Sequence, residues 1–452
     1  MDHETLFEKT PPTKLFLTVT IPGVISMLVM SLYQVIDGAF VGHLLGAEAF
    51  AALNLVMPLV IINFSVADLI GVGSSVPIAI KLGQKDGKAA SNIFSGACLL
   101  ILGSGILLGT FIFMFAADFV RLMGADETVV AAAAQYLRVY ALFSPFTTIL
   151  FAVDNYLRIC GKIRYSMYIN ILMSVLCVLF EFILLFLFRV GIWGASLATS
   201  ISILICVIIA FMPFFRGKLQ LRFMKPTFSR EILMTILANG SPSFFSNIAG
   251  RITSVILNVF LIRMGGTAAV SAYGVLMYVD GMMLPVLYGL CDSLQPAVGY
   301  NWGAKRIDRV KALERRCFFV CGALSFLITA VVFGANRQLV GIFLKAEDVE
   351  VVALSTQALT LFAFAYLTRW FSFATQSYMS AVGKAQYAAA ISLSIAFIFP
   401  VILIFSLSGL GLTGLWLNLP VSSLLCALLS IVILVRFQRK DVPRYLETEP
   451  LT

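Results

Sequence analysis

The chain has 452 residues, of which 60% are hydrophobic and only 12% charged, and its mean hydropathy is +0.97. That composition excludes a soluble enzyme; crossing about 30 Å of hydrocarbon takes roughly 20 apolar residues, so the length holds twelve spans and no sizeable extramembrane domain. The net charge of +9 is distributed between the apolar runs rather than clustered with exposed aromatics, which points to membrane topology and away from nucleic acid.

The first fourteen residues are polar, and no small-residue cleavage site follows the first apolar run, so no removable signal peptide is expected. Apolar runs then predict spans over 15–40, 49–80, 93–117, 131–156, 165–188 and 192–214. A basic connection covers 215–230. Six further spans are predicted over 231–262, 269–299, 317–335, 351–378, 386–408 and 412–436, ahead of a tail over 437–452. The reading is thus an N-terminal segment (1–14), a six-helix bundle (15–214), the basic connection, a second six-helix bundle (231–436) and the tail.

Lysine and arginine test this division, because short cytoplasmic loops accumulate positive charge. The termini and every second connection hold 24 of the 32 basic residues, and the alternate connections hold 5. Arg138, Arg251 and Arg369 lie within spans. Such alternation fits only an even number of spans with both termini in the cytoplasm, and so a multi-pass membrane protein.

The two halves repeat each other. Gly46, Ala49 and Ala52 match Gly266, Ala269 and Ala272, and Gly83 and Gly87 match Gly299 and Gly303. Gly161-Lys162-Ile163-Arg164-Tyr165 answers Gly383-Lys384-Ala385-Gln386-Tyr387, and Gly191-Ile192-Trp193-Gly194 answers Gly411-Leu412-Thr413-Gly414. All keep one order at offsets near 220 residues, which indicates a duplicated six-helix unit. Copies with an even number of helices enter the membrane in the same orientation, and a binding site is expected between the bundles.

Eight cysteines and two histidines show neither CxxC pairs nor metal-ligand spacing, so the cysteines read as small core residues and no transition-metal site is expected. A charged side chain at a helix centre costs about 2.5–3.5 kcal/mol on the insertion scale, so intramembrane acids are the functional candidates. Asp37, Asp68, Asp154, Glu181, Asp280 and Asp292 qualify by position. Glu181 interrupts an apolar stretch with no basic residue near it in sequence and must face a cavity or a partner. Asp37 lies in the first span beyond Pro22, a residue that removes a backbone hydrogen bond and weakens its helix. Asp280 and Asp292, with Arg251 and Arg369, read either as buried ion pairs or as substrate-binding groups. Asp68 and Asp154 stand beside other polar residues and read as facing water or a helix end.

The segment Gln295-Pro296-Ala297-Val298-Gly299-Tyr300-Asn301-Trp302-Gly303-Ala304-Lys305 resembles the signature that closes the eighth helix of the MATE (multidrug and toxic compound extrusion) family. Asp37-Gly38-Ala39-Phe40-Val41-Gly42 is similar to that family's first-helix pattern, and Gly191-Ile192-Trp193-Gly194-Ala195-Ser196-Leu197-Ala198-Thr199 to the start of its sixth helix. The resemblance covers essentially the whole chain and is strongest to the MepA-like bacterial group. The major facilitator alternative fits less well, because the connection after the second span, Gly83-Gln84-Lys85-Asp86-Gly87-Lys88, lacks that superfamily's arginines.

The resemblance implies an all-α integral membrane fold of twelve transmembrane helices in two pseudo-symmetric six-helix bundles, of the MATE/MOP type. It also implies cation-coupled antiport of small amphipathic, mostly cationic drugs, by a monomer in contact with membrane lipid and without a cofactor. Its ion-coupling positions fall on Asp37, Cys177, Glu181 and Thr199, with Pro22 as the hinge of the first helix. Cysteine at 177 replaces the family's asparagine and removes one oxygen from any sodium site built on Asp37 and Glu181. Two carboxyl groups in an apolar pocket need only share a proton, so the coupling ion is expected to be H+, with Na+ as the alternative. The second-half acids that some members of the family carry are missing: the position about eight residues after Pro242 holds Gly250, and the tenth span offers Arg369 instead of an acid. A lipid-linked saccharide flippase of the same superfamily is the closest rival, and an integral-membrane enzyme lacks any visible catalytic cluster. Asp37 and Glu181 have apolar counterparts near Leu257 and Leu403, so the ion chemistry is expected in the first half.

Overall fold

The computed structural model describes residues 5–123, 126–343 and 349–447; the outermost residues of the N-terminal segment and of the tail, 1–4 and 448–452, lie outside them. Every regular element among the described residues is helical. The first half runs α1 (Pro12–Phe40), α2 (Ala47–Gly83), α3 (Gly87–Leu122), α4 (Glu127–Ile159), α5 (Ile163–Glu181) and α6 (Ile192–Phe215). The second runs α7 (Arg230–Asp292), α8 (Gln295–Gly303), α9 (Ile307–Gly334), α10 (Asn336–Phe343), α11 (Val349–Ala381), α12 (Ala385–Leu393), α13 (Phe399–Leu407), α14 (Gly411–Arg436) and α15 (Val442–Glu447). Several helices extend a turn or more past the apolar runs; α9, for example, begins at Ile307 rather than near 317. The reason is that a helix satisfies its own backbone wherever it leaves the hydrocarbon, so composition marks the membrane and not the helix end.

Ten helical stretches are long and apolar enough to cross a membrane, and two of them, Arg230–Gly303 and Ala385–Glu447, run to 74 and 63 residues. Each of these two turns back on itself. Gly266 stands at φ +61° inside α7, and Gly411 at φ +67° as the first residue of α14, in a region that glycine enters without steric cost. The Ser254 and Tyr273 hydroxyls are 3.5 Å apart, whereas 19 residues of straight helix would separate them by about 28 Å. Likewise Asn418 donates to the Pro400 carbonyl at 2.7 Å. The result is twelve spans in two six-helix bundles.

The duplication is visible in the backbone. Left-handed residues recur as Gly46 and Gly266, Gly161 and Gly383, Gly191 and Gly411, and even as the lysine pair Lys85 and Lys305 at φ 62° and 56°. Side chains repeat as well: the Cys206 thiol points at the Ile169 carbonyl and the Cys426 thiol at that of Ile391.

The chain forms two compact units, Met1–Phe244 and Phe245–Thr452. The division thus falls inside α7 and not at the basic connection, because the first turns of α7 pack on α2 with almost no gap. A Cβ on Gly73 would clash with the Ile236 carbonyl oxygen, and one on Gly240 with that of Leu69. Gly240→Ala is therefore expected to destabilise the fold by the ~1–3 kcal/mol or more typical of overpacking. The readout is the yield of monodisperse protein in fluorescence-detected size exclusion. Gly250→Ala, where a Cβ meets nothing within 4 Å, should leave that yield unchanged.

The connecting segments are docked rather than loose. Between α6 and α7 the chain buries Leu219 and Leu221, and its backbone binds Ser91, Asn92 and Ser95 of α3. The tail continues helically to Glu447; there the Tyr445 ring stacks on Trp302 at 4.3 Å, and Lys384 binds Asp441 at 2.8 Å.

Candidate functional site

In the first unit, α1, α4, α5 and α6 converge on a buried polar cluster. Glu181 is the last residue of α5 and is fully buried. Its Oε1 accepts from the Tyr33 hydroxyl at 3.3 Å, and that hydroxyl also meets Thr199 Oγ1 of α6 at 3.0 Å. Asp37 lies one turn beyond Tyr33 on α1 and is the immediate electrostatic neighbour of Glu181. Cys177, one turn before Glu181, sits beside Tyr33 and Ser202, and Tyr136 of α4 closes another side. The four positions singled out as ion-coupling, Asp37, Cys177, Glu181 and Thr199, are thus one neighbourhood.

The electrostatics of the cluster are unbalanced. No lysine or arginine pairs with Asp37 or Glu181 among the described residues, and Glu181 Oε2 is buried without any hydrogen-bond partner there. A buried carboxylate oxygen without a donor costs free energy, whereas a carboxyl that holds a proton, or an oxygen that binds a cation, does not carry that cost. Both acids also precede local widenings of their helices: π-helical turns follow α1 at Val41–Leu45 and α5 at Phe182–Leu187. Such turns are frequent at functional sites because they release the regular backbone register. Pro22 is buried in α1, which runs through it as one continuous helix, and the Pro22 carbonyl accepts from Ser26 Oγ at 2.9 Å.

The second-half charges divide differently from the sequence reading. Arg369 Nη1 contacts both oxygens of Asp280 at 3.1 Å, and the Tyr366 hydroxyl donates to the same carboxylate at 2.9 Å. Asp292, by contrast, accepts from Gln295 and Ser377. Arg251 is exposed on α7 and enters no ion pair among the described residues, which removes the buried-pair alternative for it; its position in an apolar run did not fix which helix face it occupies. Asp154 is also corrected: it faces neither water nor a helix end but is ion-paired with Arg158 at 2.7 Å and bound by Ser166 and Asn170. Asp68 is half-buried on α2.

Two features escaped the sequence reading. Tyr33 was not among the candidates, although its four-residue spacing from Asp37 was the available signal. Cys291, Cys317 and Cys321 converge from α7 and α9 with sulfurs 3.4 to 4.0 Å apart, all buried. An ion at the centre of that triangle would lie about 2.2 Å from each sulfur, close to the ~2.3 Å of a zinc–thiolate bond. The trio could hold a thiophilic cation, and nothing in the linear spacing announced it.

Comparison with known proteins decides the family. The MatE family model matches residues 22–183 and again 242–405, once in each half. The chain belongs to the MatE family. MatE proteins are transporters and not enzymes, so this chain is a multi-pass membrane transporter. Similar curated proteins are the multidrug export protein MepA of Staphylococcus aureus strain MSSA476, 27% identical over 437 residues, and that of Staphylococcus saprophyticus, 27% identical over 439; each match covers 94% of both chains. Among solved structures, an outward-facing multidrug resistance MATE transporter of the MOP superfamily matches with a TM-score of 0.91 at 21% identity, over 99% of both chains. A MATE protein in a straight conformation matches with 0.91 at 22% identity, over 99% of this chain and 100% of that one. These likenesses establish that the MatE fold holds over the whole length.

Proposed function

We propose that this MatE transporter exports amphipathic, mostly cationic drugs from bacteria by antiport, coupled to protons through Asp37 and Glu181. The single observation that carries the reading is the buried, unpartnered Oε2 of Glu181 beside a second carboxyl with no basic residue bound to either. Two adjacent carboxyls in apolar surroundings hold a proton readily. The MepA relatives, named as multidrug export proteins, support drug export; the cationic preference is inferred from the buried carboxyl pair. Sodium is the less favoured ion, since it is a hard cation that wants several oxygens and Cys177 supplies sulfur in their place.

In this mechanism the unprotonated pair attracts a cationic substrate or a proton, but not both. Proton binding neutralises the pair, removes the reason for α1 to stay where it is, and Pro22, which lacks an amide donor, makes α1 the element that yields. Only the differential affinity of the two states for the proton shifts the equilibrium. The transporter would sit in the plasma membrane with both termini in the cytoplasm and work as a monomer.

The test is transport of a lipophilic cationic dye in proteoliposomes with proton and sodium gradients varied independently. Dye flux that follows the pH gradient without sodium supports the reading, and flux that follows only sodium overturns it. Tyr33→Phe should slow this flux about three- to tenfold without abolishing it, because losing one hydroxyl hydrogen bond costs a net of about 0.5–1.5 kcal/mol and leaves both carboxyls in place.

A further inference from the structure

A cavity of about 620 Å³ opens in the first unit, remote in sequence from Asp37 and Glu181. Five cations line it: Lys14 at the start of α1, Lys162 and Arg164 at the start of α5, and Arg216 and Lys218 just after α6. Among the described residues no acidic side chain lines it, and none of the five is paired with a carboxylate. The positive-inside tendency accounts for basic residues in each of three separate connections, but not for their convergence on one concave site with no counter-charge among the described residues.

The backbone adds to the charge. The first turn of α5 forms part of the wall, and its N-cap, Lys162, supplies no side-chain acceptor to the free amides there. Free amides and the positive end of the helix dipole favour an anion at that position. Other parts of the wall are apolar: Leu6 and Ile163 are buried behind it, and Met212 stands at its edge. Leu17 and Ile21 on α1 and Phe215 on α6 present exposed apolar surface close in sequence to the cationic residues. A ligand suited to such a site carries a compact multivalent anion at one end and hydrocarbon at the other.

We infer that this cavity binds the phosphate headgroup of an anionic phospholipid, with the acyl chains lying on the neighbouring apolar surface. By charge alternation these residues lie on the cytoplasmic side, where the anionic leaflet supplies that headgroup. Bound lipid bridges the starts of α1 and α5 and the end of α6, three of the helices that carry the candidate ion site. The inference does not depend on the transported substrate or the coupling ion.

The experiment uses the purified full chain and titrates phosphatidylglycerol against phosphatidylcholine while following the unfolding temperature and, by native mass spectrometry, the number of lipids retained. Phosphatidylglycerol should raise the unfolding temperature saturably. The triple variant Lys162→Gln, Arg164→Gln, Arg216→Gln should lose roughly a hundred-fold in apparent affinity, since each basic side chain near an anionic lipid surface contributes about a factor of five. The triple variant Lys311→Gln, Arg315→Gln, Arg439→Gln removes equal charge elsewhere and should behave as wild type. Equal loss in both variants would reduce the effect to bulk attraction and overturn the site. A shift of the same size from inorganic phosphate or glycerol phosphate, lost in the first variant, would overturn the lipid assignment in favour of a soluble ligand. If the first variant misfolds, the wild-type lipid count still decides, because failure to retain phosphatidylglycerol over phosphatidylcholine contradicts the proposal.

Discussion

Replacing Glu181 by glutamine is expected to abolish proton-driven accumulation. A gradient of one pH unit stores about 1.4 kcal/mol per coupled proton, which sustains about a tenfold substrate gradient. Glutamine keeps the size of the side chain and its contact with Tyr33 but cannot release a proton, so proteoliposomes holding the variant should show no accumulation above leak. Glu181→Asp keeps the acid on a shorter stem and should retain part of the flux. The glutamine variant should purify like wild type, because its amide suits a buried position where an ionised carboxylate oxygen has no donor. Undiminished accumulation by Glu181→Gln would remove Glu181 from the coupling mechanism.

The second large effect is on stability. Asp280 and Arg369 form the buried pair of the second bundle, with 10% and 20% of their side chains exposed. Removing one partner of such a pair leaves a charge in apolar surroundings, at a cost of about 3–5 kcal/mol, whereas removing both is often close to neutral. Arg369→Met is therefore expected to lower the unfolding free energy in detergent by that amount. The double variant Asp280→Leu, Arg369→Met should recover most of the loss, less the hydrogen bond that Tyr366 then loses. A double variant as unstable as Arg369→Met would show that the cost lies in packing and not in the stranded carboxylate.

What the sequence disclosed follows from how far each physical signal reaches along the chain. Apolar runs, alternating basic loops and the recurring glycines act locally, and they predicted the helices, the twelve spans and the duplication. The glycines were legible because Gly46, Gly161 and Gly191 and their partners all occupy left-handed backbone that few other residues tolerate. Glu181 stood out because an acid in an apolar stretch is costly wherever it points.

Signals that depend on a helix face or on a distant neighbour were not legible. Arg251 and Arg369 both interrupt apolar runs, yet one is exposed and the other meets Asp280 across 89 residues. The thiols of Cys291 and Cys321 meet only because α7 and α9 pack together. Asp154 and Arg158 stand four residues apart on α4, so that pair could have been read from helical spacing alone.

The proposed coupling rests on competition between substrate and proton at one carboxyl pair, and proton release reports it directly. Purified transporter in weakly buffered detergent solution, mixed with a lipophilic cation, should acidify the medium at a pH where the pair holds its proton. The signal should saturate with substrate and vanish in Glu181→Gln. Binding without acidification, or equal acidification by the variant, would contradict coupling through Glu181.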